Sequence, residues 1–248
     1  MPHIRLFVES NLASDGVIDL ADASAHYLRN VMRAGPGDQI LLFNGRDGEW
    51  RAVIAETGKR SAQLKVAEQT REQVAGADLW LAFAPVKRGP LELIAGKACE
   101  LGVSALIPVV TARTNVGRPG VGRVNVARLR AIATEAAEQC GRLDVPEVKA
   151  PVNLPSMLAD WPAGRTLILC DETGGGAPIA TSLAEADPAA PAAFLVGPEG
   201  GFEKSELDAI TKLPIVRRVG LGPRILRAET AAIAALACWQ ALVGDRRP

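Results

Sequence analysis

The chain has 248 residues, of which 48% are apolar and 23% are charged, and its formal net charge is zero. This composition is typical of a folded globular protein and excludes a disordered one, and the length allows one large domain or two small ones. A net charge of zero provides no overall attraction to nucleic acid, so any contact with RNA must depend on local clusters of charge.

The cysteines and the apolar stretches exclude further classes. No two cysteines form a CxxC pair, so we expect no metal site, and their wide spacing predicts reduced thiols in a cytoplasmic protein. The N-terminus lacks the long apolar run of a signal peptide. The most apolar stretch, residues 230–243, is too short to cross a bilayer and contains Gln240. The sequence therefore predicts no membrane role.

The first 70 residues read as short strands. Partly alternating apolar runs occupy residues 4–8, 39–43, 49–54 and 62–66, with turn signals such as Asn44-Gly45 and Asp47-Gly48 between them. One helical pattern, at residues 23–33, interrupts the strands. We predict a small β-barrel domain over residues 1–71, followed by a polar linker at residues 69–78.

From residue 72 onward the pattern changes to continuous apolar runs. These lie at residues 79–84, 105–110, 166–170, 192–196 and 215–219, and they are typical of strands buried on both faces. Between some of them are helical patterns. Leu91, Ile94 and Ala98 share one helix face that ends before Gly102, and residues 126–140 carry a second apolar stripe. The alternation predicts an α/β domain with a mainly parallel sheet over residues 72–248.

Three polar or glycine-rich segments follow buried strands, at residues 171–176, 197–202 and 220–230. In an open α/β sheet, ligands bind beyond the carboxyl ends of the strands, and glycines allow the backbone to approach a ligand closely. None of the segments matches a nucleoside triphosphate or dinucleotide loop motif. On composition alone they fit either one shared pocket or ordinary tight turns.

Sequence motifs in these segments, and their order along the chain, favour one shared pocket over ordinary tight turns. GPEGGF at residues 197–202, followed by LGPRILRAETA at 221–231, resembles the SPOUT-class methyltransferases that modify N3 of a uridine in small-subunit (16S) ribosomal RNA. HYLRNVMR at 26–33, KACELGV at 97–103, TART at 111–114 and EAAEQCGR at 135–142 resemble further segments of that family. The matches fall in order along nearly the whole chain.

The resemblance implies a fold and a cofactor. The expected fold is an N-terminal PUA-like β-barrel joined to a C-terminal SPOUT domain, a mainly parallel α/β domain tied in a trefoil knot. The expected cofactor is S-adenosylmethionine. By match of position, the residues expected to line its site come from the three loops and the strand before the first of them: Leu169, Gly197, Glu199, Gly200, Gly201, Leu221, Gly222, Ile225, Leu226 and Arg227.

Two positions depart from the usual family pattern. Ala228 stands where the family has Thr, and Glu203 stands where a helix N-cap Ser or Thr is common. Glutamate is a poor N-cap but is favourable near the positive end of a helix. Neither departure removes a charged group, so an active enzyme is expected.

Methylation of uracil N3 requires that the nitrogen lose its proton. Both histidines, His3 and His26, lie in the predicted barrel, so the α/β domain contains no histidine base. Arginines aimed at the uracil oxygens are the better candidates for stabilising the anion, with carboxylates orienting them or accepting the proton. The candidate catalytic residues are Arg142, Arg224, Glu199 and Glu229. Each arginine also fits a phosphate contact or a surface ion pair.

RNA contact is predicted from local charge. Residues 113–142 contain six arginines against two glutamates, and phosphate contact is the natural use of such a segment. The candidates there are Arg113, Arg118 and Arg123, and the barrel adds Arg29 and Arg33. The expected partner is ribosomal RNA, either free or in an assembled small subunit.

A homodimer is expected through the small apolar face of the last helix. That face contains Ala231, Ala234, Ala235 and Cys238, and the same residues also fit packing within one chain. Two other functions stay open at this point. One is a SPOUT methyltransferase acting on another RNA target, and the other is a non-catalytic RNA-binding factor of ribosome assembly.

Overall fold

A computed structural model describes residues 4–20, 22–58, 60–115 and 123–244. The chain divides into two compact units. The first consists of residues 1–75 together with 137–145, and the second of residues 76–136 together with 146–248. Within the described ranges, no helix combines the length and the apolar character needed to cross a membrane.

The first unit is a five-stranded sheet in the order β1-β3-β4-β5-β2, in which only the β1–β3 pair is parallel. Register shifts between β4 and β5 bend the sheet. The apolar core of this unit includes Leu28, Ile40 and Leu64. The strands are β1 Ile4–Phe7, β2 Val17–Leu20, β3 Gln39–Phe43, β4 Glu49–Thr57 and β5 Ala62–Arg71.

The helical pattern at residues 23–33 is confirmed in outline. Helix α1, Asp22–His26, continues into a π-helical turn at Tyr27–Val31. Arg33 follows with φ 56°, a left-handed conformation that is uncommon for a residue with a side chain.

Arg5 makes several of the hydrogen bonds that join residues 137–145 to the first unit. The Arg5 guanidinium donates to the carbonyl oxygens of Ala137 at 2.9 Å and Arg142 at 2.7 Å, and it pairs with the buried carboxylate of Glu49 at 2.8 Å. The bond to Ala137 satisfies a carbonyl in the last turn of the helix that ends at Cys140, where carbonyls lack intrahelical partners. No sequence pattern indicated that this segment packs with the barrel strands.

The second unit is a parallel sheet in the order β11-β13-β10-β12-β6-β7-β8, with β9 paired to β7. All of its strand pairs are parallel. Its strands are β6 Leu79–Phe83, β7 Ala105–Val110, β8 Glu147–Val148, β9 Val152–Asn153, β10 Thr166–Cys170, β11 Ala177–Pro178, β12 Ala192–Val196 and β13 Val216–Gly220. The expected mainly parallel α/β architecture is confirmed.

Helices cover both faces of this sheet. Successive side chains of a strand point to opposite faces of the sheet. Phe194 accordingly belongs to the apolar core on one face, and its neighbour Leu195 belongs to the core on the other face. The first face is covered by α2 Arg88–Glu100, α3 Val126–Cys140, α5 Ile179–Leu183 and α7 Ala228–Leu242, and the second by α4 Leu154–Ala159 and α6 Lys204–Thr211. A strand covered by helices on both faces therefore needs apolar residues at consecutive positions.

The end of α2 is the one that the sequence predicted. Gly102 has φ 82°, and its N–H donates to the carbonyl oxygen of Cys99 at 3.1 Å, while Val103 N–H bonds to Ala98 O at 3.0 Å. This arrangement is a glycine C-cap. It turns the chain directly into β7.

Candidate functional site

A cavity of about 420 Å³ opens at the carboxyl ends of three adjacent strands, β13, β10 and β12. Its walls come from the three loops that follow them, at residues 171–176, 197–202 and 221–227, and from the start of α7. This volume lies within the usual range for small-molecule sites, about 300–1,000 Å³. The three segments that the sequence singled out therefore do form one pocket.

The first loop, residues 171–176, is fixed by Asp171. Its buried carboxylate accepts hydrogen bonds from Thr173 N–H at 2.9 Å and Thr173 Oγ1 at 2.7 Å, and it forms a two-point ion pair with Arg218, whose Nε lies 2.9 Å away. Burial by itself raises the pKa of Asp171, but the bonds from Thr173 and Arg218 outweigh it and hold that pKa below its usual value. Asp171 is therefore ionised at neutral pH.

The second loop, residues 197–202, requires glycine at two positions. Gly201 has φ 67°, and a Cβ there would collide with the carboxylate of Glu172, which accepts a hydrogen bond from Phe202 N–H at 3.3 Å. A Cβ on Gly197 would lie 2.8 Å from the Phe202 ring. The backbone of this loop therefore packs closely against neighbouring side chains.

Cys170 lies at the end of β10 and contributes to the cavity wall. Burial, followed by the nearby Glu172 and Cys238, raises the pKa of its thiol to about 12. A thiol that stays protonated is a poor nucleophile. Cys170 therefore serves as an apolar wall residue.

The cavity has an acidic and an apolar part. Asp171, Glu172 and Glu199 are the carboxylates among its described wall residues, against the single cation Arg224. Apolar surface is contributed by Pro178, Val196, Pro198, Leu221, Ile225, Leu226, Ala228 and Ala231. Such a wall suits a ligand with a positively charged part and a flat apolar part.

A family model for an RNA methyltransferase domain matches residues 74–240, more than half of the chain. The chain belongs to this RNA methyltransferase family. A second model, for an RNA methyltransferase PUA domain, matches residues 20–67 of the methyltransferase. The family and the two-part fold expected from the sequence are thus confirmed, while the trefoil knot stays a prediction.

Similar proteins align with the methyltransferase along its full length. The ribosomal RNA small subunit methyltransferase E of Rickettsia conorii is 33% identical over 243 residues, covering 96% of this chain and 95% of that protein. A methyltransferase of Legionella pneumophila, solved with bound SAM, has 28% identity and a TM-score of 0.86 over 99% of this chain and 100% of that one. The ribosomal RNA small subunit methyltransferase E of Neisseria gonorrhoeae, solved with S-adenosyl methionine, has 28% identity and a TM-score of 0.84 at the same coverage.

The predicted cofactor residues fall into two groups in the methyltransferase. Seven of them form part of the cavity wall: Gly197, Glu199, Gly201, Leu221, Gly222, Ile225 and Leu226. Three others in the described part of the chain do not contribute to that wall. Leu169 is buried within β10, Gly200 is exposed in the second loop, and Arg227 is the exposed N-cap of α7.

The predicted catalytic residues are similarly divided. Arg224 and Glu199 are exposed members of the cavity wall. Glu229 lies in the first turn of α7 and is not part of the wall. Arg142 belongs to the first unit, where its Nε donates to Asp144 at 2.9 Å and its carbonyl oxygen accepts from Arg5.

The predicted RNA contacts are exposed where they are described. Arg29 and Arg33 lie on and after the π-helical turn of the first unit, and Arg29 Nη1 donates to Gly58 O at 3.2 Å. Arg113 and Arg123 are exposed in the second unit, and Arg113 Nη1 donates to Gly200 O at 2.8 Å. Arg118 lies outside the described residues.

Sequence reasoning gave no role to Asp171, Glu172 or Arg218. The signal for the first two was available, because charged residues directly after a buried strand end at the ligand edge of the sheet. Arg218 could not be found in this way, since it lies inside β13 and reaches Asp171 only through the pairing of β13 with β10. Among the described residues, no group of three or more His, Cys, Asp or Glu is placed to hold a metal ion.

Proposed function

We propose that this RNA methyltransferase transfers a methyl group from S-adenosylmethionine to N3 of a uridine in small-subunit ribosomal RNA. The observation that carries the proposal is the glycine-lined cavity at the ends of β10, β12 and β13. It occurs in a chain similar over its whole length to proteins named ribosomal RNA small subunit methyltransferase E. Two of its structural neighbours contain the cofactor.

The cavity fits S-adenosylmethionine by charge and by shape. This cofactor supplies an electrophilic methyl group on a sulfonium, and its sulfonium and ammonium outweigh its one carboxylate, so it is a net cation. Since Asp171 is already paired with Arg218, the carboxylates of Glu172 and Glu199 are the ones available to attract it. The apolar side chains of Leu221 and Leu226 are suited to a flat adenine ring.

The remaining cofactor contacts are proposed on the position of the backbone. Gly197, Gly201 and Gly222 expose peptide groups in the cavity wall, and Gly222 has φ 106°. Ile225, exposed by 85%, also belongs to the wall. An apolar side chain with that exposure gains most when a ligand covers it.

In the proposed chemistry the residues of the wall assist proton loss from N3. The Arg224 guanidinium stabilises negative charge on the uracil oxygens, and Glu199 accepts the proton or orients Arg224. Glu172 is a second carboxylate of the wall that can accept it. We keep Arg142 and Glu229 as further candidates for RNA or catalytic contact.

Ribosomal RNA is the proposed partner, and the cytoplasm is the proposed location. Arg29 and Arg33 of the first unit and Arg113 and Arg123 of the second are the described candidates for phosphate contact. We propose a homodimer formed through the part of α7 that its own unit does not bury. Ala235 is fully buried in the core, whereas Ala234 is only partly buried. Sedimentation of the full chain showing only a monomer would contradict the dimer.

Product analysis tests the proposed function. The purified chain is incubated with S-adenosylmethionine carrying a labelled methyl group and either small-subunit ribosomal RNA or small subunits. The RNA is digested, and the labelled nucleoside is identified by mass spectrometry against standards. We expect 3-methyluridine, with the rate lowered by about tenfold or more in Arg224→Ala and with cofactor affinity retained. A ribose-methylated or other base product would indicate another RNA target, and no detectable cofactor binding would favour an assembly factor.

A further inference from the structure

The chain leaves β7 through a closed turn at residues 111–114. Thr111 and Thr114 are both buried. Thr111 N–H donates to Thr114 Oγ1 at 2.9 Å, Thr114 N–H donates to Thr111 O at 3.2 Å, and the two hydroxyl oxygens are 2.8 Å apart. Three hydrogen bonds within four residues hold the turn in one shape. Ala112 and Arg113 are therefore presented from a fixed base.

Glu206, in the first turn of α6, binds this turn. Its Oε1 accepts a hydrogen bond from Ala112 N–H at 2.6 Å, and its Oε2 accepts one from Glu203 N–H at 3.0 Å. One oxygen thus holds the turn, and the other holds the residue that begins the helix. The carboxylate therefore uses both oxygens on backbone donors from two segments that are far apart in the sequence.

Arg113 makes a second link between the same two segments. Its Nη1 donates to the carbonyl oxygen of Gly200 at 2.8 Å. Gly200 does not line the cavity, but its neighbours Glu199 and Gly201 do. The turn at residues 111–114 is thus fastened at two points, by Glu206 and by Arg113, to the segment that begins in the cavity wall and ends in α6.

We propose that Glu206 is a positioning residue that couples RNA binding to cofactor binding. It holds the turn that carries Arg113 against the loop that forms one wall of the cofactor cavity. The inference rests on the proposed function, because it takes the cavity as the cofactor site and Arg113 as a phosphate contact. A phosphate that draws the guanidinium away from Gly200 acts on the peptide between Glu199 and Gly201. Because linkage is reciprocal, cofactor binding then alters RNA affinity by the same factor.

The coupling is measured as the ratio of two dissociation constants for one ligand, determined without and with bound RNA. The dissociation constant of S-adenosylhomocysteine, the demethylated product that avoids turnover, is measured calorimetrically on the full chain. Each measurement is made without RNA and with a saturating small-subunit RNA fragment that the native chain methylates. In the native protein we expect RNA to change this constant by about fivefold or more, the usual lower range of coupling. In Glu206→Ala, which removes both acceptor oxygens, the two constants should agree within about twofold.

Two further variants keep the test specific. Glu206→Gln replaces one of the two acceptor oxygens by an NH2 group, which donates and cannot accept from the N–H group that it then faces, so the ratio should fall between the native and Glu206→Ala values. Asp208→Asn removes an exposed carboxylate from the same helix and should leave the ratio unchanged. If Glu206→Ala does not fold, Glu206→Gln provides the comparison.

A merely structural role gives a different result. Glu206→Ala and Glu206→Gln would then weaken folding or both affinities while the native ratio is preserved, and that outcome overturns the proposal. A native chain whose cofactor affinity does not respond to RNA overturns it as well. A native chain that methylates no RNA refutes the proposed function itself, and the coupling falls with it.

Discussion

Replacement of Gly201 by alanine tests the backbone of the second loop. Gly201 has φ 67°, and a Cβ on it would displace the carboxylate of Glu172. Holding alanine in this left-handed conformation costs about 1–2 kcal/mol. Displacing Glu172 from Phe202 N–H costs about 1 kcal/mol more. We therefore expect the free energy of unfolding to fall by about 2–3 kcal/mol.

Cofactor affinity should fall in the same variant, because Glu172 is one of the carboxylates of the cavity wall. We expect the dissociation constant of S-adenosylmethionine to rise about tenfold, which corresponds to about 1.4 kcal/mol. Urea denaturation measures the first effect and calorimetric titration the second.

Gly164→Ala is the matched control. Gly164 has φ 83°, but a Cβ there meets no atom within 4 Å, and the residue is not part of the cavity wall. This variant should lose about 1–2 kcal/mol of stability and keep native cofactor affinity. If Gly201→Ala matched Gly164→Ala in both measurements, Glu172 would have no role in the wall and the reasoning would be refuted.

Three other predictions concern packing and ionisation. Arg5→Met leaves the buried carboxylate of Glu49 without its closest cation and should lower the free energy of unfolding by about 3–5 kcal/mol in urea denaturation; a loss below about 1 kcal/mol would contradict this. Asp171 has a folded-state pKa below its ordinary value of about 3.9, so its ionised form stabilises the fold above that pH, and the contribution is lost as the pH falls through the folded pKa. The difference in free energy of unfolding between the native chain and Asp171→Asn should therefore become smaller from pH 7 to pH 3, and a difference that does not change with pH would contradict the lowered pKa of Asp171. Cys170, with a pKa of about 12, should resist iodoacetamide at pH 8 in the folded protein while exposed Cys140 reacts, as measured by peptide mass mapping; equal labelling of both would contradict the burial.

The main strands could be predicted from the sequence because burial on both faces demands unbroken apolar runs. Residues 166–170 and 192–196 were predicted with the bounds that β10 and β12 have. Strand β2, Val17–Leu20, was missed because four residues with two exposed positions resemble a loop. The start of helix α6 was indicated by the resemblance, which makes Glu203 its N-cap, but its extent was not predicted, since Leu207 and Ile210 are the two of its eight residues that pack against the core and they form too short an apolar stripe.

The position of the site could also be predicted, but its internal contacts could not. Loops after buried parallel strands meet at one edge of the sheet, and this rule placed the cavity correctly. The pairing of Asp171 with Arg218 depends on the register of two strands distant in sequence. The attachment of residues 137–145 to the first unit depends on hydrogen bonds that involve main-chain groups, from Arg5 and Arg71 to carbonyls and from Phe7 N–H to Glu138, and such bonds have no sequence signature.

The glycines of the GPEGGF segment show why a matched motif does not assign roles to its members. Gly197 is small because the Phe202 ring lies against it, and Gly201 is small because its backbone is left-handed beside Glu172. Gly200 lies between wall residues but faces Arg113, to which it offers only its carbonyl oxygen, and a Cβ there would make ordinary contacts at 3.6 Å. The motif therefore combines two functions in adjacent residues. Gly197 and Gly201 shape the cavity, whereas the carbonyl of Gly200 connects the cavity wall to the turn that carries the RNA-contact candidate.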